Sequence, residues 1–275
     1  MAKEPLVLEP SSQWMVNYGD DSCRLARTFG TGDAQIAFYL EDYGTTSSFQ
    51  LVVAGSPLRR AKNYLGLYYQ FGPSQLRQRS EPLIGTLGQY DPSFIISTGR
   101  FAPLSEEELA AKRENRDVPE KVLSPSEEES IVWLGLGTKS DDIVRLDLGP
   151  MKTPMDSLRT CNDELLTHWG IDVDAHRTLS REVVPLGNPG TWVTPKDYPT
   201  GMLRKGQPGL VQVRLMVDPV GKPSSCHIQQ STRPQEFDDA VCAALMRRAM
   251  FEPALDAGGR PIASYWQSSV RFQIY

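Results

Sequence analysis

The chain has 275 residues, which at about 150 residues per domain suggests two domains or one large one. Hydrophobic residues make up 40% of the sequence and charged residues 23%, a balance that excludes a wholly disordered or fibrous protein. The 29 Lys and Arg residues against 34 Asp and Glu residues give a net charge of −5. Because the sequence has no basic stripe, we expect no nucleic acid partner.

The N-terminal region shows no targeting or membrane-spanning segment. No apolar run in the chain approaches the roughly 18 to 20 residues that cross a bilayer, so we predict no membrane span. The residues that follow Met1 lack the apolar core of a signal peptide. Either the protein stays in the cytoplasm or its signal peptide has been removed, and the cysteines bear on this choice.

Short runs of strand-forming residues, separated by glycine-containing turns, fill the first half of the chain. Their spacing predicts a mainly antiparallel sheet, a sandwich or an open barrel. The predicted strands are 13–18, 23–28, 35–42, 49–54, 67–71, 94–97, 131–134 and 143–148.

One polar stretch, 105–130, interrupts this pattern. Ser105 is followed by three glutamates in the arrangement of a capping box, which predicts a polar helix through Arg113. The rest of the stretch contains proline and the acidic run 127–129, which we interpret as a solvated loop with a helical turn. Docking of a basic partner is the alternative interpretation of this run.

A helix is predicted to close the first domain. Thr153 is its expected N-cap, Pro154 its first residue and Asp156 the end of a capping box. The stripe that should face the sheet consists of Met155, Leu158, Cys161, Leu165 and Trp169. Prolines and glycines between 172 and 194 then indicate a linker.

The four cysteines lack the spacing of zinc sites and form no C-x-x-C motif. An even count fits two disulfides, for which three connectivities exist, and four buried free thiols are the alternative. Since Cys161 lies on the stripe that faces the sheet, Cys23 on an early strand is its expected partner. Disulfides would place the protein outside the cytoplasm.

The C-terminal region has a clearer pattern. Val211, Val213, Leu215 and Val217 alternate with polar residues, which predicts a half-buried strand. A hairpin turn at 218–221 leads to a return strand, 225–230. A helix follows, with an apolar stripe from Phe237 to Leu245, and 264–274 is the last strand. The order strand, strand, helix, strand predicts a three-stranded sheet backed by one helix.

Several separated motifs occur in order along this region. They are Tyr198-Pro199, Gly209 before the first strand, Asp218-Pro219 with Gly221, Phe237-Asp238-Asp239-Ala240, Arg247-Arg248-Ala249-Met250-Phe251-Glu252-Pro253-Ala254 and Gly259-Arg260-Pro261. With these motifs, the region resembles the TonB C-terminal domain family over 194–275. The front part of the chain resembles the amino-terminal part of secreted proteobacterial members.

The resemblance implies a periplasmic module that binds a short extended segment, the TonB box, of outer-membrane transporters. The last strand is the usual acceptor in the family. The residues to which it corresponds here are Tyr265, Gln267, Ser268, Ser269, Val270, Arg271, Phe272 and Gln273. We expect the chain to depart from an energy transducer, because these 275 residues include no apolar run long enough for a membrane anchor and no long Pro-rich spacer. It also has Thr194-Pro195-Lys196-Asp197 where well-known transducers have a Gln-containing segment.

Within this region, Cys226 shares a strand face with Ile228, and Cys242 lies on the helix that covers this face. A Cys226–Cys242 bond would close a loop of about 15 residues and contribute about 3 kcal/mol. One face of the last strand should be formed by Trp266, Val270, Phe272 and Ile274. We expect the helix residues Phe237, Val241 and Leu245 to cover this face. Tyr265, Gln267, Ser269, Arg271 and Gln273 should form the other face.

The sequence gives little reason to expect an enzyme. Its three histidines, His168, His176 and His227, belong to no recognisable catalytic or metal-binding motif. The glycines at 30 and 32 form a turn between strands, with no helix after them to bind phosphate. We therefore expect no catalysis, no cofactor and no metal.

Together these patterns predict an α+β protein of the periplasm, with its signal peptide removed. A β-rich domain at 1–175, a linker at 176–193 and a TonB-like domain at 194–275 are expected. The first hypothesis is binding of an outer-membrane receptor or another envelope protein by strand addition, linked to outer-membrane transport. The second is a structural or regulatory envelope protein, whose TonB-like domain pairs with itself through edge strands or packs on its own N-terminal domain. The third is an N-terminal enzyme with an accessory binding domain.

Overall fold

A computed structural model describes residues 4–44, 48–61, 66–114, 121–232 and 234–274. Tyr275, the last residue of the predicted C-terminal domain, lies outside the described residues. The chain divides into two units. The described residues of the first unit lie within 4–110 and 121–165, and those of the second are 111–114 and 166–274.

The first unit contains a six-stranded sheet in which every neighbouring pair is antiparallel. Its strands are β2 (Met15–Tyr18), β3 (Cys23–Phe29), β4 (Ile36–Asp42), β5 (Phe49–Ala54), β8 (Leu83–Leu87) and β9 (Tyr90–Gly99), in the order β2-β3-β4-β5-β9-β8. Strand β8 was not among the predicted strands, because Gly85 and Thr86 interrupt its short apolar pattern.

A second sheet of five strands completes the β structure of this unit. Its strands are β1 (Leu6–Leu8), β6 (Leu67–Phe71), β7 (Gln78–Ser80), β10 (Trp133–Gly137) and β11 (Asp142–Asp147), in the order β1-β11-β10-β6-β7. Strand β1 pairs in parallel with β11, far away in the sequence. Phe29, Phe38, Phe71 and Phe94 are fully buried, which places the core of the unit among these strands.

Three helices belong to this part of the chain: α1 (Glu106–Glu114), α2 (Pro125–Ser130) and α3 (Lys152–His168). The predicted capping box is confirmed, because the Ser105 hydroxyl accepts from the Glu108 N–H and the Glu108 carboxylate accepts from the Ser105 N–H. A second capping box, formed by Ser124 and Glu127, begins α2. The prediction for this stretch was only a loop with a helical turn. The predicted start of α3 after Thr153 is wrong, since the helix already includes Lys152.

The predicted disulfide Cys23–Cys161 is present and joins β3 to α3. Beside it lies a buried carboxyl group. Asp42, the register partner of Cys23, is 7% exposed and accepts from Asn162 Nδ2 at 2.8 Å and from the Gly44 N–H at 2.9 Å. Burial raises the pKa of Asp42 to about 7 despite these two bonds.

We expect Asp42→Asn to remove a pH dependence of stability. Because the folded pKa of about 7 exceeds the ordinary value of about 3.9, the folded protein holds a proton that the unfolded chain releases. For this group, the free energy of unfolding is highest below about pH 4 and falls as the pH rises to about 7. Melting temperatures measured from pH 4 to 8 should therefore decline less in the variant than in the unchanged protein.

The exposed Asp33, also in the first unit, supplies the control for this experiment. Asp33→Asn should keep the decline of the unchanged protein. If the Asp42→Asn variant kept it as well, the Asp42 carboxyl would not be the group that titrates.

The second unit contains the helices α4 (Val173–Arg177), α5 (Thr200–Arg204) and α6 (Gln235–Arg248). Its central sheet has three strands, β13 (Gly209–Val217), β14 (Pro223–Ser231) and β18 (Ser264–Phe272), in the order β14-β13-β18. Two small ladders flank it: β12 (Val184–Pro185) with β15 (Phe251–Glu252), and β16 (Ala254–Leu255) with β17 (Pro261–Ile262). The predicted α+β class and the order strand, strand, helix, strand are confirmed.

The segment predicted as a linker, 176–193, is part of this second unit. Strand β12 pairs with β15, and Arg181 contacts Glu252 at 2.6 Å. Trp192 is 5% exposed and belongs to the core of the unit. The segment is therefore tied to this unit by its pairing with β15 and by the burial of Trp192.

Candidate peptide-binding edge

Strand β18 forms one edge of the three-stranded sheet. Its nine residues pair with β13 in an unbroken antiparallel register, from Gly209 opposite Phe272 to Val217 opposite Ser264. Among the described residues, no strand pairs with the other side of β18. Since residues of an edge strand alternate in the direction of their backbone groups, every second N–H and C=O of β18 points to this open side.

The opposite edge, β14, has a different geometry. Its register with β13 shifts twice, between Gln212 and Val213 and between Met216 and Val217. Strand β14 also begins with Pro223, which has no N–H to donate. Bulges and prolines are common protections of edge strands against pairing, so β18 is the better template for an added strand.

Aromatic side chains hold β18 on its inner face. The ring of Phe272 lies 4.8 Å from Phe237 and 5.2 Å from Tyr198, as centroid distances. Trp266 lies 5.4 Å from Trp192 and 5.3 Å from Phe251. Phe237 thus covers Phe272 as predicted, whereas Trp192 and Phe251 are neighbours of Trp266 that the helix pattern did not predict.

The predicted inner face extends too far at its C-terminal end. Ile274 is 46% exposed and, like Gln273, lies beyond the end of β18 at Phe272. The pairing stops there because Phe272 is already opposite Gly209, the first residue of β13. The other predicted edge residues, Tyr265 and 267–272, all lie on β18.

The motif Tyr198-Pro199 packs close to the end of β18. The Tyr198 ring lies 5.7 Å from Phe237, and its hydroxyl donates to the Gln207 carbonyl at 2.5 Å. Pro199 lies just before α5, and its carbonyl oxygen accepts hydrogen bonds from the N–H groups of Met202 and Leu203 in that helix. The two motif residues therefore support the core beneath the edge.

Comparison with known protein families bears directly on this unit. Residues 194–274 match the family described as Gram-negative bacterial TonB protein C-terminal. These residues form a TonB C-terminal domain. The family resemblance predicted for this region is thus confirmed. No curated protein matches the chain.

The predicted Cys226–Cys242 disulfide joins β14 to α6 in the TonB C-terminal domain. Both cysteines, together with Ile228, pack against the core that includes Phe237 and Val241. The bond therefore fastens the helix to the edge strand that lies farthest from β18.

An ion pair fixes the segment that enters the TonB C-terminal domain. Asp197 accepts from Arg248 at 2.7 and 3.0 Å, and its Oδ2 also accepts from the N–H and hydroxyl of Thr194. The Arg248 hydrogen bonds hold the pKa of Asp197 well below its usual range. This carboxylate occupies part of the segment in which well-known transducers carry glutamine, and here it serves to anchor the chain.

The outer face of the sheet is covered, which corrects the prediction of a half-buried β13. Gln212 is 8% exposed and Arg214 only 4% exposed. The Arg214 guanidinium lies 3.6 Å from the centroid of the Trp169 ring, a short cation–π contact. Trp169 was predicted on the stripe facing the first sheet, but it contacts the TonB C-terminal domain instead.

His176 completes this cover. Its ring stacks on Tyr265 at 5.3 Å, and Trp169 meets the same tyrosine edge-on at 5.3 Å. Burial lowers the pKa of His176, and its Nδ1 is buried with no hydrogen-bond partner among the residues that the structure describes. Sequence analysis missed this cover, because the alternation on β13 contains no sign of it and Trp169 was assigned to the apolar stripe of α3.

The remaining histidines lie apart. His227 is exposed on β14, as predicted, with its Nε2 3.0 Å from the Ser225 hydroxyl. His168 is exposed in the last turn of α3. Within the described part of the chain, no three His, Cys, Asp or Glu side chains are grouped to hold a metal ion. No helix within the same ranges has both the length and the apolar composition needed to span a membrane.

Proposed function

We propose that this protein binds an extended peptide segment of an outer-membrane receptor, or of another envelope protein, by adding it as a strand to β18. The open, unbroken edge of β18 on a TonB C-terminal domain is the observation that supports this function. Main-chain hydrogen bonds would supply most of the affinity in this mode of binding.

The length and regularity of β18 favour this edge. Nine residues at about 3.3 Å each make a strand of about 30 Å, long enough to pair with a short extended segment. The aromatic contacts of Phe272 and Trp266 hold the strand in place before a partner arrives. A preorganised strand loses little conformational entropy on binding.

The periplasm is the proposed compartment. Two disulfides, Cys23–Cys161 and Cys226–Cys242, are stable in an oxidising environment and rare in the cytosol. The periplasm also gives access to the inward-facing segments of outer-membrane receptors. The proposed role is binding without catalysis, metal or cofactor.

Ser269→Pro is expected to abolish peptide binding if the Ser269 N–H points to the open side, because proline has no N–H to donate. Ser268→Pro covers the alternate register, in which the neighbouring N–H points outward. Ser269→Ala keeps the N–H and should bind nearly as the unchanged protein does. Calorimetry with an extended peptide derived from an outer-membrane transporter measures binding, and thermal melting of each variant shows that it is folded.

Only one of the two proline variants removes an outward N–H, so one loss of binding in a folded variant is the expected result. If both proline variants melt cooperatively and bind the peptide normally, β18 is not the binding edge.

A second candidate function, structural or regulatory, is favoured by one observation. Trp169 and His176, which precede the family domain, cover the outer face of its sheet next to Tyr265. The domain therefore makes contacts with its own chain that a pure binding module does not need. Self-association through β18 would give a dimer by sedimentation and no peptide binding.

A further inference from the structure

We propose that helix α4 is a latch, which closes on the outer face of the three-stranded sheet while His176 is neutral and opens when this ring gains a proton. The inference goes beyond the proposed function and does not depend on strand addition at β18. It comes from the way in which one short helix is attached to the sheet.

Helix α4 is a weakly held element between two firm attachments. None of its five residues, Val173–Arg177, is fully buried. Before the helix, the side chain of Ile171 is buried. After the helix, the Ser180 N–H donates to the Leu255 carbonyl at 2.9 Å. A helix this short has little stability of its own, so its position depends on the contacts of its side chains.

The ring of His176 makes the contact that fixes α4. It stacks on the Tyr265 ring of β18, with 5.3 Å between the centroids and 26° between the planes. Trp169 meets the same tyrosine edge-on at 5.3 Å, and its ring centroid lies 3.6 Å from the Arg214 guanidinium of β13. The imidazole is therefore the last ring of a stack that covers the outer face of the sheet.

Protonation changes what this ring needs from its surroundings. Its Nδ1 is buried, and within the described part of the chain it has no hydrogen-bond partner. The neutral ring tolerates this place, because its one hydrogen can be on Nε2. The imidazolium has a hydrogen on both nitrogens, and a buried charged donor without an acceptor is costly. Burial lowers the pKa of His176 for the same reason.

The charged groups around His176 do not relieve this cost. The titratable and charged groups on the surrounding elements are Asp172, Asp174 and Arg177 at α4, His168 in the last turn of α3, Arg214 on β13, and Tyr265 and Arg271 on β18. Both carboxylates have partners other than the imidazole, since Asp172 accepts from the Ala175 N–H at 3.0 Å and Asp174 lies 3.8 Å from Arg177. The groups named on the other elements are bases or a neutral tyrosine, so they offer an imidazolium no ion pair.

The dependence on pH has a defined direction. In the open latch, we expect the ring to have the ordinary histidine pKa of about 6.5. Since the closed ring has a lower pKa, the closed latch is stable above about pH 6.5 and is lost as the pH falls towards the pKa of the closed ring. In this window, the ratio of open to closed latch should rise by up to about tenfold for each pH unit.

Amide hydrogen exchange of the full chain, at about pH 7.5 and about pH 5, tests the latch on both sides of this window. After correction for the intrinsic exchange rate at each pH, protection of 173–177 should be about fivefold lower at the acidic value. Protection of β13 should be the same at both values, which separates opening of α4 from unfolding of the sheet.

Two substitutions separate the proton from the ring. Phenylalanine can stack on Tyr265 but cannot be protonated, so His176→Phe should give 173–177 the same protection at both pH values. His168→Phe is the matched control, because His168 is exposed in the last turn of α3. It should keep the loss of protection seen in the unchanged chain.

A third variant, Tyr265→Ala, removes the ring on which His176 stacks and should leave 173–177 weakly protected at both pH values. Equal protection of 173–177 at both values in the unchanged chain would overturn the latch. A pH-dependent loss that persists in both His176→Phe and Tyr265→Ala would assign the titration to another group and overturn it as well. Equal losses in 173–177 and β13 would show unfolding of the sheet and contradict a local opening.

Discussion

Phe237→Ala is expected to lower the free energy of unfolding of the TonB C-terminal domain by about 3–5 kcal/mol. The Phe237 ring is fully buried on α6 and contacts the rings of Tyr198 and Phe272. A Cβ atom placed on Gly209 would lie 2.6 Å from this ring, so the strand and the helix approach closely here. Truncation leaves a cavity that these tightly placed neighbours fill only in part.

Urea unfolding, followed by the fluorescence of Trp192 and Trp266, measures this loss. Met246→Ala is the control, because Met246 is on the same helix and 38% exposed; it should change the free energy by about 0.5 kcal/mol or less. A loss below about 1 kcal/mol for Phe237→Ala would show that the core beneath β18 is not organised around this ring.

Removing the Cys23–Cys161 disulfide is expected to cost the first unit about 4–5 kcal/mol in the chain-entropy model. The two cysteines are 138 positions apart, so the bond greatly restricts the unfolded chain. Both side chains are buried, at 0% and 1% exposure. Alanine is therefore the replacement at both positions, because it places no polar group in the core. The double alanine variant also isolates the effect of the bond from that of a free thiol.

The second disulfide provides a comparison within the same protein. Cys226 and Cys242 are 16 positions apart, and the same model gives about 3 kcal/mol for this shorter loop. Denaturant unfolding of each double variant should therefore show the larger loss for Cys23–Cys161. Equal losses, or a larger loss for Cys226–Cys242, would contradict the loop-length explanation.

The sequence was most informative where side chains alternate regularly. The alternation from Val211 to Val217 and the stripe on α6 were sufficient to predict β13 and the helix, whereas the choice of β18 as the acceptor strand came from the family resemblance. Strands β1 and β7 were missed, since three residues are too few to show a period. The parallel pairing of β1 with β11 joins segments more than a hundred residues apart, which no local pattern encodes.

The cover of the outer face was beyond sequence analysis for a different reason. Gln212 and Arg214 have the polarity of a solvent face, so alternation predicts that they are exposed. A guanidinium can nevertheless be buried under an aromatic ring, because it has flat, weakly hydrated surfaces. Trp169 provides that ring from outside the family domain, and the polar pattern of β13 contains no sign of it.

Amide hydrogen exchange of β18, with and without an extended peptide derived from an outer-membrane transporter, tests the central claim most directly. Strand addition engages every second N–H of β18 on its open side. Added peptide should therefore slow exchange at alternate residues between Ser264 and Phe272 and leave β14 unchanged. Unchanged exchange along β18 when peptide is bound, or slowing confined to β14, would contradict strand addition at this edge.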